Sequence, residues 1–283
     1  MNTETLDQPI VADVAVSAPA VVIESAAPAV AAVAEGPNPF TALGLDAALV
    51  RAVSDLGYTQ PTEVQAKVIP LAMGSGKADE ASIDLMVSSQ TGSGKTAAFL
   101  LPVLNTLIAQ KAIEAAAEQA EFERQRAQAA ASGEAAPKRA KRKNPMQSRN
   151  FKAAVPGALV LCPTRELAQQ VAQDAIELVK HCKNLRVANV VGGMPYQLQI
   201  AKLQNADLVV ATPGRLLDLQ RSLQIKLDKV QFLVVDEADR MLDLGFADDL
   251  EEVHQMTAQR KQTMMFSATF APRIQQLAMR VMH

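Results

Sequence analysis

"SQTGSGKT", residues 89–96, is the stretch that decides the fold of this chain. It nearly matches the phosphate-binding pattern G-x-x-x-x-G-K-[ST], with Ser89 at the position of the first glycine. The apolar run "SIDLMVSS" leads into it and an Ala-rich helical stretch follows it. This order of strand, loop and helix is the setting that the pattern requires. We call residues 89–96 the phosphate loop.

The chemistry of the phosphate loop predicts a nucleoside triphosphate site. Glycines let backbone N–H groups turn inward around phosphate oxygens, and the following helix N-terminus favours negative charge. Lys95 can reach the β- and γ-phosphates, and the Thr96 hydroxyl can ligate Mg²⁺. The predicted nucleotide contacts in this loop are Gln90, Thr91, Gly92, Ser93, Gly94, Lys95 and Thr96.

The rest of the chain alternates between short apolar runs and helical patterns. The runs are "SIDLMVSS", "GALVLCP", "RVANVVGG", "ADLVVATP", "VQFLVVDEA" and "QTMMFSAT". Continuous apolar strands joined by helices predict an α/β fold, a parallel sheet with helices on both faces. Ligands of such sheets bind beyond the carboxyl ends of the strands, where these runs turn small, polar or charged.

A second chemical signal is "FLVVDEAD", residues 232–239. An apolar strand that ends in Asp is how a phosphate-loop protein presents a carboxylate to Mg²⁺. Asp236 is therefore the predicted metal ligand, through water, and Glu237 is the predicted group that orients and deprotonates the attacking water. The alternative is a strand that ends in a solvated acidic helix cap. The preceding phosphate loop favours hydrolysis.

Composition divides the chain into a tail and a body. Residues 1–37 are rich in Ala, Val and Pro and hold five of the 30 acids but no Lys or Arg. We predict that this tail is disordered. The remaining chain has 28 basic and 25 acidic side chains, a balance that is compatible with a phosphate-rich partner without demanding one.

Residues 110–154 interrupt the alternation. Their first half favours a helix, and their second half, which includes "PKRAKRK", favours a flexible basic loop. The loop is either a solvated insertion or an auxiliary nucleic-acid contact. The two cysteines lack metal-ligand spacing and are typical of a cytoplasmic protein with reduced thiols. No stretch reads as a signal peptide or a membrane span.

Seven short motifs stand in order along the chain and together resemble the DEAD-box ATP-dependent RNA helicases. They are "GYTQPTEVQ" (57–65), "SQTGSGKT" (89–96), "PTRELA" (163–168), "GG" (192–193), "TPGR" (212–215), "DEAD" (236–239) and "SAT" (267–269). The resemblance covers roughly residues 38–283 and leaves out the tail and the 110–154 insertion. It implies a RecA-like first helicase domain that uses ATP and Mg²⁺.

The resemblance also implies roles for individual residues. Gln65 is expected to pair with the adenine edge, and Phe40, seventeen positions before Gly57, to pack against the base. Gln65 could otherwise be a surface residue of a helix. The expected RNA contacts, which would grip the backbone without reading bases, are Thr164, Arg165, Gly193, Thr212, Gly214 and Arg215. Ser267 and Thr269 are expected to couple the ATP and RNA sites through Asp239.

The chain reaches His283 soon after "SAT". The resemblance implies that a second RecA-like domain, with arginines that stabilise the transition state, is missing. We therefore expect very slow ATP hydrolysis and no duplex unwinding from this chain. Two other functions stay open at this point: a non-catalytic module that binds RNA or a partner, and an ATPase that acts on something other than nucleic acid.

Overall fold

A computed structural model describes residues 21–24, 38–74, 83–132 and 152–282 of the chain. Within them lie seven strands, nine α-helices and a short 3-10 helix at Pro39–Leu43. The strands are β1 (Val21–Glu24), β2 (Leu85–Ser88), β3 (Ala158–Leu161), β4 (Val187–Val190), β5 (Leu208–Ala211), β6 (Phe232–Val235) and β7 (Gln262–Ser267). The helices are α1 (Ala47–Asp55), α2 (Glu63–Met73), α3 (Lys95–Ser132), α4 (Arg165–Leu178), α5 (Tyr196–Leu203), α6 (Pro213–Arg221), α7 (Ala238–Asp243), α8 (Ala247–Met256) and α9 (Pro272–Val281).

The described strands form one parallel sheet in the order β1-β2-β7-β6-β3-β5-β4. Parallel neighbours need crossover connections, and helices supply them here, as the alternating sequence predicts. The register aligns the strand ends, because Leu161 pairs with Val235 on one side and Ala211 on the other. The segments that follow β3, β5 and β6 therefore emerge together along one edge of the sheet.

Both faces of the sheet are buried, which explains the continuous apolar runs. Successive side chains of β3 alternate between two cores: Ala158 and Val160 belong to one, Leu159 and Leu161 to the other. The first core lies under α1–α4 and includes the edge-to-face pair Phe99 and Phe266, whose ring centroids are 5.2 Å apart. The α/β prediction is confirmed.

Polar caps fix where the helices that surround the site begin. The side chains of Asp46, Thr62 and Thr164 accept hydrogen bonds from backbone N–H groups in the first turns of α1, α2 and α4. Pro213 occupies the first turn of α6, where its missing N–H costs nothing. These caps place each helix start just beyond a strand end or a turn.

The structure describes short parts of the tail and of the insertion. The expected disorder of residues 1–37 is wrong for Val21–Glu24, which pair with Leu85–Ser88 as an edge strand. The rest of the tail lies outside the described residues. Ile23 is buried in the first core, so apolar burial and backbone pairing offset the ordering cost of this short segment. Helix α3 continues to Ser132, as predicted for the first half of the insertion. The basic loop lies outside the described residues.

Helix α3 is long and apolar enough, by length and composition alone, to cross a membrane. Half of its most apolar window is buried within the fold. Phe99, Leu100, Leu101 and Leu104 pack in the first core, which accounts for the hydropathy of this part of the helix. Both cysteines are free thiols, and Cys162 is buried.

Candidate nucleotide site and nucleic-acid groove

The phosphate loop joins the end of β2 to the start of α3. Gly92 and Gly94 both have φ near +83°, a left-handed conformation that strongly favours glycine. The Ser89 N–H donates to the Ser267 carbonyl at 3.1 Å, which ties the loop to the end of β7. Lys95 is the first residue of α3. The loop thus meets both requirements of the motif, a glycine turn and a helix N-terminus.

Lys95 lies against the two acidic residues that follow β6. Its Nζ is 3.0 Å from Asp236 Oδ1 and 3.4 Å from Glu237 Oε1. Burial alone lowers the pKa of Lys95, but the Asp236 and Glu237 carboxylates outweigh it and raise that pKa. Burial raises the pKa of Asp236, and the nearby ammonium opposes this shift. Asp236 is completely buried, so it is not the solvated helix cap that the sequence left open.

Glu237 has an unusual backbone for a side-chain-bearing residue. Its φ and ψ are 52° and 53°, the left-handed region, as it caps the start of α7. Such conformations cost about 1–3 kcal/mol and concentrate at functional sites. The turn places Glu237 next to Lys95 and 3.6 Å from Arg240. The carboxylate is therefore held beside the phosphate loop.

The donor set fits a magnesium ion. Asp236 Oδ2 is buried and accepts no hydrogen bond from the described residues. Carboxylate and hydroxyl oxygens suit Mg²⁺, which binds through one or two protein groups and completes its shell with phosphates and water. Within the described ranges, no cluster of three or more His, Cys, Asp or Glu side chains could hold a metal alone. Asp236 and Thr96 are the residues that would hold Mg²⁺.

Gln65 connects α2 to the phosphate loop. Its Nε2 donates to the Gly94 carbonyl at 3.0 Å, and its Oε1 accepts from the Thr62 N–H at 3.0 Å, completing a capping box. The residue is only 3% exposed, so it is not the surface glutamine that the sequence left open. An amide has two donors and two acceptor sites, so the nitrogen and the oxygen of Gln65 each retain the capacity for one further hydrogen bond.

The other residues predicted to contact the nucleotide differ in solvent exposure. Gln90 and Thr91 are exposed, whereas Ser93 is buried and its hydroxyl has no hydrogen-bond partner among the described residues. Phe40 is completely buried, with its ring centroid 6.5 Å from that of Tyr58. It presents no surface to a nucleotide in this structure, so its contact with a base stays a prediction.

A cavity of about 290 Å³ opens beside the phosphate loop. Tyr58 and Asp174 line it together with Thr91, Lys95 and Thr96. Burial, and to a lesser extent the charge of Asp174, raises the pKa of Tyr58, and burial raises that of Asp174. The sequence interpretation assigned no role to either residue. Tyr58 lies within the quoted "GYTQPTEVQ", but the position of Asp174 inside α4 carries no local signal.

The predicted RNA contacts converge in an open groove of about 430 Å³, which we call the backbone groove. It is lined by Pro163, Thr164, Arg165, Glu166, Gly192, Thr212, Gly214, Arg215, Asp218 and Phe246. These residues follow β3, β4, β5 and α7, and the parallel sheet brings them to one edge. Gly193 adjoins the groove, because a Cβ there would lie 2.4 Å from Arg165 Nη1. The sequence interpretation missed Phe246.

Asp239, Ser267 and Thr269 are the residues expected to couple the two sites, and all three lie in the described part of the chain. Within the described part of the chain, no hydrogen bond joins Asp239 to Ser267 or Thr269. Ser267 Oγ instead donates to the Thr269 carbonyl at 2.8 Å, and Asp239 Oδ1 accepts from the Arg240 N–H at 3.1 Å. The side chains of Ser267 and Asp239 therefore make hydrogen bonds to backbone groups within two residues of their own positions. A link between the two sites through Asp239 is therefore not formed in this structure.

The chain is similar in sequence to curated RNA helicases. The chain is 42% identical over 244 residues to DEAD-box ATP-dependent RNA helicase 52A of Oryza sativa subsp. japonica, covering 84% of this chain and 35% of the relative. It is 38% identical over 231 residues to ATP-dependent RNA helicase SrmB of Escherichia coli, covering 81% of this chain and 42% of the relative. The chain thus spans well under half the length of these relatives.

Solved structures and a family model extend the comparison. A DEAD box protein from Methanococcus jannaschii superposes with a TM-score of 0.62 at 32% identity, covering 86% of this chain and 53% of that one. A hypothetical ATP-dependent RNA helicase from Sulfolobus tokodaii gives the same score and identity, over 84% and 55%. The fold is therefore that of a RecA-like P-loop NTPase domain. The sequence model "DEAD/DEAH box helicase" matches residues 62–277, and the chain belongs to the DEAD/DEAH box helicase family.

Proposed function

We propose that this chain is an ATP-binding and RNA-binding domain of an ATP-dependent RNA helicase. The observation that carries the proposal is the placement of two sites along one edge of the sheet. Lys95, Asp236 and Glu237 meet behind the phosphate loop, and two arginines line the backbone groove beyond neighbouring strands. A helicase must hold a nucleotide and a strand of nucleic acid at the same time.

Different residues of the site bind the phosphates, the metal, the attacking water and the adenine during ATP hydrolysis. The backbone N–H groups of the phosphate loop and the Lys95 ammonium bind the phosphates of ATP. Asp236 and Thr96 would hold Mg²⁺, which would supply positive charge against the phosphates of ATP. Glu237 orients a water molecule and accepts its proton as the water oxygen attacks the γ-phosphorus and ADP leaves. Gln65 selects adenine through its amide.

The backbone groove binds RNA without reading its sequence. Arg165 and Arg215 supply cationic donors, and the groove is also lined by Gly192 and Gly214, which add no side chain. Such groups suit phosphate and sugar oxygens and carry no base information. Binding should therefore weaken steeply as salt rises, because each neutralised phosphate releases counterions.

A salt series on single-stranded RNA tests this proposal. We expect the slope of log affinity against log salt to become shallower by about 0.7 for each of Arg165→Met and Arg215→Met. Fluorescence anisotropy with a labelled unstructured RNA gives the slopes. The control is Arg124→Met, which removes an exposed charge from the α3 extension, outside the groove. RNA binding by this groove would be contradicted if the affinity of the parental chain did not depend on salt, or if all variants gave the same slope. The alternative would then be an ATPase that acts on a partner other than nucleic acid.

Turnover by this chain alone should be slow. Among the described residues, Arg240 is the arginine that adjoins the catalytic carboxylates, and it is engaged with Glu237. An arginine aimed at the γ-phosphate is worth about a thousandfold or more in rate. We expect RNA-stimulated ATP hydrolysis below about 1 s⁻¹, the low end of the usual enzyme range. A coupled phosphate-release assay that gives faster steady-state turnover would refute this expectation.

A further inference from the structure

Arg215 is held on three sides, although it lines an open groove. Its Nη1 donates to Gln199 Oε1 at 3.1 Å, and its Nε lies 3.9 Å from Asp218 Oδ2. Its guanidinium carbon lies 6.0 Å from the centroid of the Tyr196 ring, a cation–π distance. The Arg215 side chain is 20% exposed. Two of these three partners come from α5, a helix that follows the "GG" motif.

Gln199 connects Arg215 to the strand that ends at the groove. The residue is completely buried, and its Nε2 donates to the Val191 carbonyl. Val191 directly precedes Gly192, which lines the groove. With Nε2 committed to the carbonyl, Oε1 is the amide atom that remains for the guanidinium. One buried side chain thus links the glycine turn to the arginine.

Tyr196 braces the same arginine from the other side. Its hydroxyl hydrogen-bonds to Ser222 Oγ, directly after the C-terminus of α6. Ser222 Oγ in turn donates to the Asp218 carbonyl at 2.8 Å. The Tyr196 side chain is therefore fixed at its backbone, at the start of α5, and at its hydroxyl, at the end of α6. Contact with Arg215 does not have to immobilise the ring, because the ring is already held.

Among the described residues, the polar contacts of Arg165, the second arginine of the groove, are longer than those of Arg215. The Arg165 side chain is 56% exposed. Its contacts are a long hydrogen bond of 3.4 Å to the Gly192 carbonyl and a 4.0 Å approach to Glu166. Two arginines in one groove thus differ in how firmly they are held, and Arg165 is a natural internal reference for Arg215.

We propose that Gln199 and Tyr196 are positioning residues that hold the Arg215 guanidinium in place before RNA arrives. Immobilising a flexible side chain at an interface costs affinity, and an arginine already fixed avoids that cost. The benefit to RNA binding rests on the proposed function of the groove. The fixation of Arg215 is a property of the free protein and is testable without RNA.

The first experiment measures side-chain order in the free chain. The ¹⁵N relaxation of arginine Nε–Hε groups reports motion on the picosecond-to-nanosecond scale. We expect Arg215 to be rigid and Arg165 mobile in the parental chain, and Arg215 to become as mobile as Arg165 in Gln199→Met. Gln204→Met is the matched control, since Gln204 is also buried but its Nε2 has no hydrogen-bond partner in the described residues. An Arg215 signal that is mobile in the parent, or unchanged in Gln199→Met, would overturn the proposal.

Tyr196→Leu keeps the test decisive should Gln199→Met fail to fold. Tyr196 is partly exposed, so its replacement leaves the buried amide network intact. It should increase the mobility of Arg215 in the same direction. Rigid Arg215 in folded Tyr196→Leu would show that the ring does not brace it, and would contradict the proposal for that residue.

The second experiment measures RNA affinity in a double-mutant cycle. Gln199→Met should weaken binding roughly three- to tenfold in the parental background, the affinity equivalent of ordering one side chain. It should have no effect in an Arg215→Met background but its full effect in an Arg165→Met background. An equal loss in all backgrounds would mean a merely structural role. Absence of RNA binding by the parent would overturn the proposed function. The relaxation experiment would still decide whether Gln199 and Tyr196 immobilise Arg215, because it is done without RNA.

Discussion

Lys95→Met is expected to lower ATP affinity by at least about a hundredfold. The substitution removes the charge-assisted hydrogen bonds from Lys95 to two phosphates of ATP, each worth about 1.5–3 kcal/mol. Titration of a fluorescent ATP analogue with Mg²⁺ measures the loss. Lys67→Met is the control, because it removes a lysine that forms an exposed ion pair with Glu63 within α2. Unchanged affinity in Lys95→Met would mean that the phosphate loop does not bind nucleotide.

The same substitution should also destabilise the empty protein in a pH-dependent way. Lys95 is the cation beside the buried Asp236 carboxylate, and removing one partner of a buried pair costs about 3–5 kcal/mol. Burial raises the pKa of Asp236 above its unfolded value, and the penalty is present at pH values above this folded-state pKa, where the carboxylate is charged. It shrinks as the pH falls through the folded-state pKa, because Asp236 then becomes neutral.

Urea unfolding at pH 8 and pH 5 checks this dependence. We expect a large loss of the free energy of unfolding for Lys95→Met at pH 8 and a smaller loss at pH 5. Lys95→Met/Asp236→Asn should recover most of the loss at pH 8, because the uncompensated charge is gone. A loss no greater than that of Lys67→Met at both pH values would contradict a stabilising role for this pair.

Gly94→Ala is expected to disrupt the phosphate loop far more than Gly92→Ala. Both glycines have φ near +83°, so both substitutions carry the cost of a left-handed alanine, roughly 1–2 kcal/mol. A Cβ at Gly94 would lie 2.6 Å from Gln65 Nε2 and 3.0 Å from two atoms of Thr62, whereas one at Gly92 would meet no atom within 4 Å. The clash falls on the buried hydrogen bond between α2 and the loop.

The comparison of the two glycines isolates that clash. We expect Gly94→Ala to lose about 1–3 kcal/mol more free energy of unfolding than Gly92→Ala, measured without nucleotide. It should also weaken binding of an ATP analogue, because Gln65 must move. Gly94→Ala/Gln65→Ala should relieve part of the difference by removing the obstructing amide. Equal stability of the two single variants would show that Gln65 yields without cost.

The difference between sequence expectation and structure is clearest at Gln65 and Arg215. The motifs that contain these two residues predict which ligand each side chain would bind. They do not predict which side chains or backbone groups each one hydrogen-bonds to in the free protein. Gln65 is bonded to the loop across 29 positions of sequence, and Arg215 to Gln199 across 16. Such contacts depend on how helices pack, and no local pattern encodes them. The same reason explains why Tyr58, Asp174 and Phe246 were missed as lining residues.

The sequence by itself determined the parallel α/β class, the phosphate loop and the acidic pair after β6. These depend on local rules: apolar runs flanked by glycines, a lysine at a helix start, and carboxylates at a strand end. Only the tertiary structure decided that Lys95 pairs with both carboxylates and that α5 braces Arg215. It also decided that Val21–Glu24 joins the sheet edge and that Asp239 stays apart from Ser267 and Thr269. These outcomes are set by packing between distant segments, where burial and hydrogen-bond satisfaction choose among partners that local sequence leaves equivalent.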